Sequence, residues 1–443
     1  MKKLSFENIQ ALKENYEKKP VQNALRRVLV KNDLSTLFEK QEQFMNTQFV
    51  FSNEIKTVEP VTYQQSSGRC WLFAGLNVLR EVVAKNHNLK TFELSQNYTA
   101  FWDKFEKINF FIESMDDFLD VDQDDRTLQH LLKTGIQDGG QWDMFVSLVL
   151  KYGVVPKYVM PETKSSSSTA FMNKLINVKL RKYAANARRF YTEGKKDLIP
   201  ELKQLLLDEL YTFLVTNFGM PPETFDFEYL DKDNTYHVEK EFTPQSFFEK
   251  NIGDEIKKYV SVIHAPTKDK PYLKTYTVAY LGNVIDGVPI KYLNVEMFEL
   301  KDLVIKQMLN NELVWFGADV GRYGSRDSGI WDDQLFDFET MLEMNLTMTK
   351  AEELDYAQGA MNHAMVFTAV HLENGHAKRF KIQNSWGDKT GNKGYYLTTE
   401  SWFDRYVYQA VIHEKFLSKA QRAAWDLEPV VLKPWDPMGS LAK

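Results

Sequence analysis

Cys70 is the only thiol in a chain of 443 residues. A lone cysteine is more often an inert buried side chain than a nucleophile, so its surroundings decide. Residues 61–69 are polar and aperiodic, include Gly68, and run straight into Cys70-Trp71-Leu72-Phe73-Ala74. Beyond that point Leu72, Leu76, Leu79 and Val83 recur at helical spacing. Cys70 therefore opens a predicted helix, where the dipole and free N–H groups favour thiolate. Far downstream, Asn362-His363-Ala364 opens one predicted strand and Gln383-Asn384-Ser385-Trp386-Gly387 closes another. A thiol, an imidazole and an amide are the materials of nucleophilic catalysis.

The elements that must bring these residues together differ along the chain. Residues 1–60 read as a helical extension, with Leu4, Ile9, Leu12, Leu25, Val28 and Leu29 at helix-like spacing. Residues 61–164 read as a helical lobe carrying the thiol; its aromatic stripe of Tyr98, Phe101, Trp102, Phe105 and Phe110 belongs to a core. The run Lys164-Ser165-Ser166-Ser167-Ser168-Thr169 predicts a flexible connection. It leads into a helical insertion over 165–270, whose strongest period stops at Gly219-Met220-Pro221-Pro222. Residues 271–430 turn to strands, with alternation at Tyr276, Val278 and Tyr280 and a hairpin signal at Asn374-Gly375. Residues 431–443 form a tail in which Pro434, Pro437 and Gly439 argue against a helix. The expected class is α+β, with a cleft between two lobes.

Composition narrows the chemistry. Lys plus Arg is 55 and Asp plus Glu is 61, a net charge of -6 that removes any global electrostatic case for nucleic acid. With one cysteine no intrachain disulfide forms, which suits a reducing compartment. The N-terminus shows no secretory apolar stretch and no run matches a membrane span, so a cytoplasmic protein is expected. Gly321-Arg322-Tyr323-Gly324-Ser325-Arg326 lacks the ending and context of a phosphate loop and reads as a surface loop. His371 and His376 lack metal-ligand spacing, and no metal or cofactor is called.

Ser67-Gly68-Arg69-Cys70-Trp71 resembles the nucleophile signature of the papain-like cysteine peptidases, departing at two of five positions. Gln64, six residues upstream, matches the family's oxyanion glutamine, and Gly139-Gly140 matches its paired cleft glycines. Gly391-Asn392-Lys393-Gly394-Tyr395 continues the likeness. The resemblance implies Cys70 as nucleophile, His363 as its proton partner, Asn384 orienting His363, and Trp386 shielding that contact. It further implies that the Gln64 amide and the Cys70 N–H receive the oxyanion. Two positions where secreted members carry cysteines hold Ser67 and Gln137. Arg69 replaces a small residue.

His363 lies 293 residues after Cys70, against roughly 130–150 in the ordinary pattern. With this insertion, the N-terminal extension and the ending Trp435-Asp436-Pro437-Met438-Gly439-Ser440-Leu441-Ala442-Lys443, the chain is similar to the aminopeptidase C and bleomycin hydrolase family. That resemblance implies a homohexameric ring and peptide substrates. It implies a C-terminal arm in the cleft, with Ala442 or Lys443 supplying a carboxylate toward the substrate's α-amino group. Gly139, Gly140, Asn362 and Trp386 are the other expected substrate contacts. The alternatives are a ring protein that mainly binds nucleic acid, through Lys174, Lys179, Arg181, Lys182, Arg188 and Arg189, and a thiol acyltransferase.

Overall fold

The computed structural model describes residues 2–442. Ser5 accepts the Asn8 N–H and caps α1 (Phe6–Glu17), and Pro20 opens α2 (Pro20–Val28). Neither helix buries a residue. The first helix with a buried face is α3 (Cys70–Asn86), which packs on α4 (Gln96–Ser114) and α5 (Trp142–Tyr152). Ser95 caps α4 through the Tyr98 N–H. Trp71, Leu72, Phe101, Ile108, Phe145 and Val149 fill the space between these helices. Two longer helices, α6 (Ala170–Thr192) and α7 (Ile199–Phe218), lie beside α4. Gly219 ends α7 with positive φ.

The insertion is not wholly helical. A separate hairpin joins β1 (Phe225–Leu230) and β2 (Tyr236–Phe242), its burial alternating as one face packs inward. The Ser-rich connection is also ordered, contrary to expectation. Ser166 and Thr169 are buried, Ser166 Oγ donates to Glu162 (2.5 Å), and the Ser66 N–H donates to the Ser167 carbonyl (3.1 Å). Small hydroxyl side chains look flexible by composition, yet here they satisfy a buried turn.

The second half supplies eleven strands of a twelve-stranded sheet, and Asn53–Glu54, inside the stretch expected to be a helical extension, supplies the other by pairing with Ala369 and Val370. Its main strands are β3 (Tyr259–Ile263), β4 (Lys274–Val278), β5 (Tyr292–Asn294), β6 (Val314–Ala318), β7 (His363–Glu373), β8 (His376–Gln383), β9 (Tyr395–Thr399), β10 (Val407–His413) and β11 (Val430–Leu432). They run in the order β11-β4-β5-β3-β10-β6-β7-β8-β9. Helix α8 (Met297–Leu309) covers one face over a second apolar core containing Val314, Phe316, Phe367 and Ile412. Register places the site: Val366 opposes Gln383, so the start of β7 and the end of β8 lie together. His363 opposes Ala318 on the other side.

Backbone contacts tie the two halves together. The Gln64 N–H donates to the Ser385 carbonyl (2.8 Å) and the Gly387 N–H to the Thr62 carbonyl (3.0 Å). Trp315 Nε1 donates to the Trp71 carbonyl (3.2 Å). The tail also differs from expectation: Pro437–Ala442 is a short 3-10 helix, with Pro437 at its first position, where a missing N–H costs nothing. Among the described residues no helix is long and apolar enough to cross a membrane.

Candidate active site

Cys70 is the first residue of α3, and no side chain caps this helix start. Burial pushes the thiol up to about 11, opposed by the backbone N–H groups of Ala364, Trp71 and Cys70 itself. The Ala364 N–H lies 3.4 Å from Sγ. Arg69 turns away from the site. Its guanidinium makes a two-pronged bond to Glu162 (3.1 and 3.0 Å), and its Nε donates to Ser67 Oγ (2.9 Å). The residue that departs from the small-residue pattern therefore braces the loop before the thiol.

His363 opens β7 and is buried. Its Nε2 meets Asn384 Oδ1 at 2.8 Å, which leaves Nδ1 for proton exchange with the thiol. Burial lowers the imidazole to about 4, partly offset by Asn384 and reinforced by the Arg326 charge. Trp386 stacks on the imidazole with ring centroids 4.9 Å apart, and the Arg326 guanidinium lies over that indole, 4.8 Å from its centroid.

Gln64 is held at four points, one of them its carbonyl, which accepts from Ser67 Oγ (2.7 Å). Ser385 Oγ donates to Oε1 (2.6 Å), Nε2 donates to the Ser67 carbonyl (2.6 Å), and the main chain pairs with Ser385. Nε2 carries two hydrogens, so one remains for an oxyanion in the cavity. Ser385 also donates its N–H to Asn384 Oδ1 (2.8 Å), coupling the histidine's partner to the glutamine.

The glycine pair borders the thiol helix. A Cβ at Gly140 would overlap the Trp71 indole, so no larger residue fits. Asp138 precedes the pair and anchors it. Its carboxylate accepts from Lys104 Nζ (2.5 Å), Asn173 Nδ2 (2.9 Å), Thr169 Oγ1 and the Gly68 N–H (3.1 Å). Although burial opposes the charge, these donors hold the carboxyl well below its ordinary range. Its carbonyl accepts from Trp71 Nε1 (2.7 Å). Lys107 donates to the Gly139 carbonyl (2.6 Å). Hydrogen bonds and charge thus join the loop before the thiol to the glycine pair.

A cavity of about 250 Å³ collects these groups: Gln64, Gly68, Cys70, Gly139, Asn362 and His363 line it. So do Ser440 and Leu441 of the tail. The Asn362 side chain is engaged by Asp319 (2.6 Å) and the Val320 N–H (3.0 Å). Trp386 meets the site through His363. Lys443 lies outside the described residues, as does the side chain of Ala442.

The family model for the peptidase C1-like family matches residues 3–439. The chain belongs to the peptidase C1-like family. Aminopeptidase C of Listeria monocytogenes is 46% identical over 439 residues, covering 99% of each chain. Aminopeptidase C of Streptococcus thermophilus is 44% identical over 444 residues, covering 100% of each. The crystal structure of PepW from Lactobacillus rhamnosis HN001 superposes with a TM-score of 0.96 at 44% identity, over 99% of both chains. The α+β, papain-like architecture expected from the sequence is therefore that of this C1-like peptidase.

Within this C1-like peptidase, Asp138, Ser385 and Arg326 escaped the sequence reading as site residues. Asp138 adjoins the glycine pair and Ser385 stands inside the motif over residues 383–387, and a side-chain hydrogen bond leaves no spacing signal. Arg326 sits in a loop dismissed as surface. Three of the six insertion cations named above have partners inside the chain: Lys179 pairs with Glu209, Arg181 donates to the Leu132 carbonyl (2.7 Å), and Arg188 donates to the Val121 carbonyl (2.6 Å).

Proposed function

We propose that this C1-like peptidase is a cysteine aminopeptidase, releasing N-terminal residues from peptides through a thioester acyl-enzyme. Cys70 attacks the scissile carbonyl, and the resulting oxyanion sits between the Gln64 amide and the Cys70 N–H. His363 passes the thiol proton to the leaving amine, then activates the water that frees the acyl group. Asn384 keeps the imidazole turned toward the thiol, and Trp386 keeps water from that hydrogen bond.

One observation carries the exopeptidase reading: Ser440 and Leu441 line the cavity that also holds Cys70 and His363. A tail filling half of a peptidase cleft leaves room for about one residue before the scissile bond. A terminal carboxylate there would meet the substrate's ammonium and disfavour blocked N-termini. The test compares fluorogenic aminoacyl substrates with free and N-acetylated amino groups, for the full chain and for a form lacking residues 440–443. The full chain should cleave only the free form efficiently, and the truncated form should gain activity on the acetylated one. An unchanged ratio would refute the arm. A reducing, cytosolic setting suits a catalytic thiol that must stay unoxidised.

A further inference from the structure

The tail reaches the cavity by a defined route. Strand β11 runs parallel to β4, with Val430 opposite Tyr276 and Leu432 opposite Val278. The chain then turns at Asp436, whose N–H donates to the Lys433 carbonyl (2.9 Å). The Asp436 carboxylate does two things. Its Oδ1 accepts the Met438 N–H (2.9 Å) and starts the terminal 3-10 turn, while its Oδ2 lies 2.9 Å from Lys270 Nζ. Lys270 is 3% exposed and its ammonium is also held by Asp269 at 3.0 Å. Beyond the turn, Met438 and Leu441 are buried, and Ser440 Oγ donates to the Met361 carbonyl (2.6 Å), two residues before His363.

We propose that Lys270 is a specificity-determining positioning residue: its buried ion pair with Asp436 sets the course of the C-terminal arm and thereby the selection of free N-termini. The proposal rests on the exopeptidase reading above. The geometry gives the pair this leverage. Asp436 is the last fixed charge before the turn, and its two oxygens set where the chain bends and which way it points. Lys270 precedes β4, the strand on which β11 lies, so the ion pair locks the bend to the same structure that carries the arm. Burial draws the ammonium's pKa down, yet Asp436 and Asp269 more than offset this, and the group stays charged at neutral pH. Without its partner, the buried carboxylate would seek water, and the turn would leave its place on the cavity wall.

The test uses full-length Lys270→Met, Lys270→Arg and Asp436→Asn proteins, and the form lacking residues 440–443. The reading is the ratio of kcat/KM on an acetylated aminoacyl coumarin to that on its free-amine form. The rate of Cys70 alkylation by iodoacetamide reports on the thiol separately. Lys270→Met and Asp436→Asn should raise the ratio by roughly tenfold or more, through a higher KM for the free amine, with unchanged alkylation. Lys270→Arg should keep the wild-type ratio. A wild-type ratio in Asp436→Asn, or equal damage by Arg and Met at position 270, would overturn the proposal. Should Lys270→Met fail to fold, Asp436→Asn decides alone. If truncation moves the ratio but Asp436→Asn does not, the ion pair is refuted and the arm stands. If truncation moves nothing, both fall.

Discussion

In the catalytic pair proposed above, a thiol raised to about 11 and an imidazole lowered to about 4 hold one proton between them over the whole interval between those values. Thiolate with imidazolium and thiol with neutral imidazole differ only in where that proton sits. Burial favours the neutral pair, and the N–H groups at sulphur with Asn384 at Nε2 favour the charged one. Below the lower limit the imidazole gains a second proton, and above the upper limit the pair loses its last one. The pH profile of kcat/KM should therefore be flat through neutrality, with its acid limb well below the 6.5 of an ordinary histidine. Asn384 raises the imidazole, so Asn384→Ala should push that limb lower still while cutting kcat; a limb moving upward would contradict the geometry. Cys70→Ala should lower peptide hydrolysis by about 10⁴-fold or more in a fluorogenic assay. Gln64→Ala should cost roughly 10²–10³ in kcat with little change in KM, as loss of one oxyanion donor does.

Elements matter here through their ends. The thiol stands at the start of α3, the imidazole at the start of β7 and the amide just beyond β8, and antiparallel register brings the two strand ends together. Those elements were legible, because apolar period and turn residues are local signals: the helix from Cys70 and the strands around Asn374-Gly375 follow from them. The β1–β2 hairpin and the ordered serine turn were not, since beside their local bonds each leans on residues distant in sequence, Tyr229 on His87 and Thr169 on Asp138. The close fit of α3 against the glycine pair likewise belongs to packing. Gly140→Ala would force its methyl into Trp71, and we expect a loss of roughly 1–3 kcal/mol, read as a lower Tm, with reduced kcat/KM. An unshifted Tm would show that the indole moves aside without cost.

At the scale of the whole molecule, α1 and α2 stand out, because neither buries a residue although Phe6 is 91% and Leu12 62% exposed. We propose that the apolar side chains these otherwise polar helices expose meet another copy of the chain, in the ring that the family resemblance implies. Phe6→Asp combined with Leu12→Asp should reduce the mass measured by light scattering to that of smaller assemblies. A wild-type protein that is already monomeric would exclude the ring. What the amino-acid sequence determined by itself is the inventory: a single thiol at a helix start, a histidine and an amide at strand ends, a glycine pair and a proline-broken tail. Each is a local pattern, readable because backbone propensity and side-chain chemistry act over a few residues. The tertiary structure decided how they are held. Asp138 joins the thiol loop to the glycine pair, Ser385 joins Asn384 to Gln64, and Lys270 holds Asp436 so that Ser440 and Leu441 reach the cavity. Such links depend on distances between residues tens or hundreds apart, which only the packed chain sets.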